Sequence, residues 1–380
     1  MNRMLSPNEA KFWLLDAGAP MNCVVVIRRA GTDEIAMPQR FAIPIAECAG
    51  KARPRWVESN APGVLERRRE AAANDWLAVA QQLLDVRVGT DGVPPWYAVE
   101  LRGATHTTLV LAVNHAVTDW RTALTVGHAF LEDRHPGAMA PPCEEMLPES
   151  FYGDPDAGAL IDGWWSARAA ARWEALGIER LISILPPATP THFAVHKFDA
   201  EATERINMRC EDEGASLNGV LAVAMRDVMG IDNVAHAVGL ERFIRPAPPE
   251  GPGLAVSHVF TRLDRGEFWE SARQSRDTLF QEIRNGAAGD ALLPLPKFLL
   301  KPDTPPSYDK ATMTITGAPT ASAKARREDI EMELVVSSAR GGGNILILSH
   351  DRDCLQLIAG TSAGQPEVPL AAIAERLAHA

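Results

Sequence analysis

Cysteine is scarce and scattered in this chain. The five thiols (Cys23, Cys48, Cys143, Cys210 and Cys354) are odd in number, far apart and never in a C-x-x-C pair, which argues against a disulfide framework and a recognisable zinc site. Buried, inert thiols are the expectation. No apolar run approaches the roughly 20 residues of a spanning helix, and Asn8, Glu9 and Lys11 stand where a secretory signal would carry its apolar region. The expectation is a soluble, cytoplasmic protein with no transmembrane segment. Basic charge is in deficit: 38 Lys and Arg against 49 Asp and Glu leave a net charge of -11. Such a molecule repels phosphate backbones, so no nucleic-acid partner is expected. Internal repeats of roughly 20 to 50 residues are absent too, which removes solenoids and propellers.

What is present is ordinary globular material. The 380 residues are 46% hydrophobic and 23% charged, enough for two domains or one large one. The pattern is mixed α/β. Strands are expected over 22–29, 96–102, 107–114, 192–198, 234–240, 255–263, 311–316, 330–337 and 344–350. Helices are expected over 64–84, 120–133, 160–181, 200–213, 216–229 and 267–283. Gly214 can end one helix and Ser216 can cap the next by accepting a hydrogen bond from its first-turn amides.

Between His135 and Pro155 lie Pro136, Pro141, Pro142 and Pro148 with Gly137 and Gly153, so neither helix nor ladder can persist there. That stretch is the expected linker. A second cluster, Pro302, Pro305 and Pro306, reads as a long loop. The expected organisation is an N-terminal lobe over 1–150, a linker and connecting helix over 151–190, and a C-terminal lobe over 191–380.

The segment Leu109–Leu124, LVLAVNHAVTDWRTAL, is an apolar run, then His115, then Asp119, then a helical pattern. Apolar residues on both faces make the strand an interior one, and it delivers an imidazole at its end, near a lobe boundary where clefts form. A lone histidine at a strand end is as a rule a satisfied structural residue, so the surrounding sequence has to carry the functional reading.

That surrounding sequence resembles the H-x-x-x-D acyltransferase superfamily, which includes nonribosomal-peptide condensation domains, chloramphenicol acetyltransferase, polyketide-associated acyltransferases and wax-ester synthases. Its signature HHxxxDG is matched by Asn114, His115, Ala116, Val117, Thr118, Asp119 and Trp120. The opening LSPNEAKFWLL (5–15) and the following PMNCVVV are similar to the wax-ester synthase start. GASLNGVLAVAM (214–225) and GLERFIRP (239–246) resemble the family's later helix and strand end, and SHVFTRLDRGEFWESARQSRDTL is similar to polyketide-associated members.

The resemblance implies an α/β sandwich fold of two chloramphenicol-acetyltransferase-like lobes with the active-site tunnel between them. It gives His115 the role of catalytic base. Asp119 becomes a brace of the active-site loop paired with an arginine, Arg245 or else Arg242. Asn114 replaces the first histidine of the signature and Trp120 its glycine, so both are expected along the substrate tunnel, where the indole N–H of Trp120 is one choice of oxyanion donor.

The implied activity moves an acyl group from a coenzyme A or carrier-protein thioester to a hydroxyl or amine of a small acceptor. Lipid or secondary-metabolite biosynthesis is its setting. No tightly bound cofactor and no metal are expected, the acyl-CoA or phosphopantetheinyl thioester being a substrate. A non-catalytic module that binds an acyl carrier protein or acyl ligand, or a site repurposed for dehydration or cyclisation, are the alternatives.

Other features read as structure. Gly360–Gly364 spells G-x-S-x-G, but the rest of a nucleophile-elbow fold has no room downstream. His192 and His196 are about 13 Å apart on a strand, too far to share a metal. Gly341, Gly342 and Gly343 suggest a hairpin, and the tryptophans Trp164, Trp165 and Trp173 a packed helix. Lys51, Arg53, Arg55, Arg67, Arg68 and Arg69 form a solvated helix face or a surface for phosphates or an acidic carrier.

Overall fold

A strand that is apolar on both faces must be covered on both, and Leu109, Val110, Leu111, Ala112 and Val113 lose all their exposure. The computed structural model describes residues 2–59, 61–69, 71–72, 75–185, 191–245, 251–301, 313–317, 329–337, 343–351 and 354–379. In chain order the first part comprises β1 (Asn2–Met4), α1 (Pro7–Gly18), β2 (Asn22–Ala30), β3 (Ile45–Glu47), β4 (Arg55–Val57) and β5 (Val64–Arg69). There follow α2 (Asp75–Leu84), β6 (Trp96–Arg102), β7 (His106–Asn114), α3 (Trp120–Leu131), α4 (Cys143–Met146), α5 (Ala157–Trp164) and α6 (Ala167–Ile182). The second part has β8 (Thr191–Lys197), α7 (Ala200–Asp212), α8 (Leu217–Met229), β9 (Asn233–Gly239), β10 (Val256–Arg262), α9 (Phe268–Arg284), α10 (Ala287–Asp290) and α11 (Pro294–Leu300). Finally come β11 (Met313–Gly317), β12 (Ile330–Ser337), β13 (Asn344–Asp351), β14 (Cys354–Ser362) and α12 (Leu370–Ala378).

Two large sheets organise these elements. The first has the order β12-β2-β7-β6-β5 and the second β10-β9-β11-β13-β14-β8, with a small sheet β1-β4-β3 beside them. Period-two alternation sorts the first sheet's side chains. Val24, Val26, Val110 and Ala112 meet Trp76, Val79 and Leu83 of α2 on one face. Cys23, Val25, Ile27, Leu109 and Leu111 meet Ala123, Val126 and Phe130 of α3 on the other. At Gly127 of α3 a Cβ would stand 2.7 Å from Val25 Cγ1, so glycine lets this helix lie against the sheet. Ile345, Ile347 and Ile358 of the second sheet join the α2 core, while α7, α8, α9 and α12 cover that sheet's opposite face.

The lobes are not contiguous in sequence. β12, from the second half, pairs antiparallel with β2 from Ile330↔Arg29 to Ser337↔Cys23, whereas β13 belongs to the other sheet. The hairpin expected at Gly341–Gly343 is therefore corrected to a crossover between sheets; Gly341 and Gly342 themselves lie outside the described residues, as do Pro246, Pro302, Pro305, Pro306 and Ala311.

Most expected strands appear within a residue or two, but the helix expected over 64–84 is a correction. Its first part is β5, paired parallel with β6; edge pairing overrides helix propensity where Arg67, Arg68 and Arg69 can stay exposed. The basic cluster is therefore no helix face. Arg67 pairs with Glu34 and Glu100, and Arg53 is buried, donating to the Trp164 carbonyl and lying over its ring. The helix expected over 160–181 is two, α5 and α6, broken where Ser166 caps the second by accepting from Ala169 N–H. Trp164 and Trp173 meet edge to face at 6.1 Å, and Trp173 also contacts Trp13 of α1. Gly214 (φ +60°) and the Ser216 cap end and start helices as expected. Among the described residues no helix is long and apolar enough to cross a membrane.

Candidate active site

The end of β7 turns within a few residues, and nearly every polar group in the turn is spent on holding it. His115 N–H donates to the Met21 carbonyl at 2.7 Å and Val117 N–H to the Asn114 carbonyl at 3.1 Å. The Asn114 side chain donates to the Val88 carbonyl at 3.1 Å and accepts from Ala116 N–H at 2.9 Å. Asn114 is thus a clamp on the loop, 1% exposed, rather than the tunnel-lining residue expected; both ends of its amide are in use.

Asp119 is the N-cap of α3. Its carboxylate accepts from Thr122 N–H at 2.9 Å, and Thr122 Oγ1 accepts from Asp119 N–H at 2.9 Å, a reciprocal capping box. The other carboxylate oxygen accepts from Ala255 N–H at 2.9 Å, across the lobe boundary. Thr122 Oγ1 also donates to the Gly253 carbonyl at 2.7 Å, and Thr118 bridges Gly253. Asp119 thus ties the start of α3 to the Ala255 amide, and its hydrogen-bond partners here are backbone amides rather than arginine. Arg245 lies on the surface with its guanidinium donating to the Arg242 and Ile244 carbonyls, and Arg242 is exposed as well. The expected ion pair is corrected to a capping box joined to a backbone amide of the second lobe.

Trp120 follows the cap, half-buried and packed against the edge of the core that α3 shares with the first sheet, its indole N–H buried without a partner among the described residues. Ser362 of the G-x-S-x-G stretch donates to the Gly343 carbonyl at 2.8 Å and is 1% exposed, so it is structural.

His115 itself is held on two sides. Nδ1 stands 2.8 Å from the Thr118 carbonyl, which only an N–H can approach, so the neutral ring carries its proton there and its lone pair on Nε2. Phe12 of α1 lies tilted against the ring at 4.3 Å between centroids. Nε2 has no hydrogen-bond partner among the described residues and is not sealed, and the residue keeps 9% exposure. Burial, helped by the charge of Lys11, pushes the imidazole below its usual pKa and outweighs its own backbone carbonyl, the Thr118 carbonyl and Asp119, which raise it. A neutral imidazole with an unspent nitrogen is a general base at neutral pH.

Two groups that sequence reasoning missed lie close by. Asn8 of α1 donates to the Val256 carbonyl of β10 at 2.9 Å. One helical turn brings Lys11 and Phe12 onto the Asn8 face, and His258 shares its strand face with Val256. Lys11 and His258 are both half-buried. Burial lowers Lys11 to about 8 and His258 to about 3, with the charge of Lys11 and the His115 ring adding to the latter. The only sequence signal was helical spacing in NEAKF; nothing in it points to residue 258. Among the described residues no three His, Cys, Asp or Glu side chains gather where they could hold a metal.

No family model and no curated protein matches the chain. Solved structures do. The first condensation domain of the calcium-dependent antibiotic synthetase, in complex with a substrate analogue, is similar with a TM-score of 0.67 at 16% identity, over 100% of this chain and 96% of that one. Polyketide synthase associated protein 5 from Mycobacterium tuberculosis is similar at 0.63 and 15%, over 99% and 96%. The cyclization-docking bidomain of the EpoB nonribosomal peptide synthetase from Sorangium cellulosum is similar at 0.60 and 15%, over 100% and 84%. The fold is the two-lobed, condensation-domain-like one that the resemblance implied.

Proposed function

We propose that this chain is a thioester-dependent acyltransferase in which His115 is the base. The observation that carries the reading is the His115 ring, which donates Nδ1–H to the Thr118 carbonyl and leaves Nε2 unspent at the lobe boundary. Nε2 takes the proton of an acceptor hydroxyl or amine as that atom attacks the thioester carbonyl carbon. The tetrahedral intermediate collapses, the C–S bond breaks, and the departing thiolate receives the proton from the imidazolium. An ester or amide and a free thiol result, with no acyl-enzyme and no resident cofactor in the sequence of steps. The donor is an acyl-CoA or a carrier-bound phosphopantetheinyl thioester, and the acceptor a small molecule.

Support comes from the H-x-x-x-D resemblance and from a fold shared with condensation, cyclization and polyketide-associated proteins. The test is thiol release from a panel of acyl-CoA donors with small alcohols and amines. Acceptor-dependent release that His115→Ala abolishes in a folded protein is expected. Ligand binding without release would favour the non-catalytic module instead.

A further inference from the structure

We infer that Lys11, with His258 beside it, receives a carboxylate of the acyl acceptor, so that the acceptor is an amino or hydroxy acid with its acid group free. This rests on His115 being the base that touches the acceptor. The placement is geometric. Asn8 pins α1 to β10 through the Val256 carbonyl. On the same helix face Phe12 stacks on His115 and the Lys11 ammonium stands 4.9 Å from the Phe12 ring centroid. The cation and the base therefore lie against the same aromatic ring.

The ammonium has no hydrogen bond or ion pair among the described residues. The nearest buried carboxylate is spent: one Glu144 oxygen accepts from Asn8 N–H at 2.8 Å and the other from the Cys143 thiol at 3.3 Å. The ammonium is half-buried with three unused donors and is not sealed, so an incoming anion can reach and neutralise it. His258 is neutral at working pH and able to add a hydrogen bond. An anion held here lies within a few bonds of the attacking atom. That fits an acid on the acceptor, whereas the phosphate of a pantetheine arm is many bonds from its thioester.

The test is equilibrium binding of two product-like probes, N-octanoylglycine and its neutral isostere N-octanoylglycinamide. At pH 7 the wild type should bind the acid at least about tenfold more tightly. Lys11→Met should remove that preference, and Lys11→Arg should keep part of it. Because Lys11 titrates at about 8, the wild-type preference should also fade between pH 7 and 9.5. Of the other groups around it, His115 and His258 lie below the ordinary histidine value, Cys143 lies well above 9, and burial raises Glu144, so the fade is assigned to Lys11 by its loss in Lys11→Met. Equal or absent binding in the wild type, a preference undiminished at pH 9.5, or one that persists in folded Lys11→Met overturns the inference. Preferential binding of the acid in a protein that shows no thiol release would leave the carboxylate site at Lys11 standing and overturn both the base role of His115 and the reading of that site's ligand as an acyl acceptor.

Discussion

His115 and His236 are both buried, 9% and 1% exposed, and burial pushes both below the usual imidazole pKa, His236 to about 4. Their surroundings differ in kind. His236 sits mid-strand in β9, its face flanked by Val234 and Val238 in helix-covered cores. Its Nε2 meets Thr261 Oγ1 at 2.9 Å and its Nδ1 is sealed without a partner. His115 sits where its strand ends, with one nitrogen fixed by a carbonyl and the other left open. A depressed pKa alone therefore does not distinguish the two histidines; the unspent, unsealed nitrogen at a lobe boundary does.

Replacing each by alanine is the strongest way to break this contrast. His115→Ala should cost about 100- to 10,000-fold in acceptor-dependent thiol release with little change in melting temperature. His236→Ala should do the reverse. It leaves a cavity and an unpaired Thr261 hydroxyl and costs about 2–3 kcal/mol in urea unfolding, while the turnover of the remaining folded protein is kept. Similar profiles for the two variants would dissolve the distinction.

Next in size is the loop that positions His115. In Asp119→Asn one carboxylate oxygen becomes an NH2 that must face either the Thr122 or the Ala255 amide, donor against donor. We expect it to lose about 1–3 kcal/mol of stability, close to the loss in Asp119→Ala, and to slow thiol release. If the carboxylate acted instead through an arginine, Arg245→Ala would match these losses; it should change neither.

The pH dependence sharpens the contrast further. His236 and His258 have folded pKa values of about 4 and about 3, against 6.5 for an ordinary imidazole. Below 6.5 the unfolded chain binds protons that the folded one does not, so stability is highest above that value and falls as pH drops toward 4. For fully buried His236 the slope approaches about 1.4 kcal/mol per pH unit. His236→Asn should flatten the fall in urea-unfolding free energy between pH 6.5 and 4.5, and an unchanged slope would place the titration elsewhere.

The same contrast explains what could be read from sequence. The strand into His115 was legible because five successive apolar residues and a following helical pattern are local signals. Half of the Asp119 role was local as well, since Thr122 lies three residues on, but the Ala255 amide that completes it is more than a hundred residues away. Lys11 and His258 are brought together by a hydrogen bond between Asn8 and Val256, a juxtaposition that no periodicity encodes. β5 misled because Val64–Arg69 has no strong alternation and becomes a strand through its pairing with β6. The crossover to β12 was invisible because strand patterns do not say which sheet a strand joins.

The site's central feature is the protonation of one ring, and long-range proton–nitrogen NMR of the His115 imidazole at pH 7 reads it directly. A neutral ring with its proton on Nδ1 and an unprotonated Nε2, titrating below 6.5, is the predicted result. A proton on Nε2, or an imidazolium at that pH, would contradict the assignment of His115 as the base.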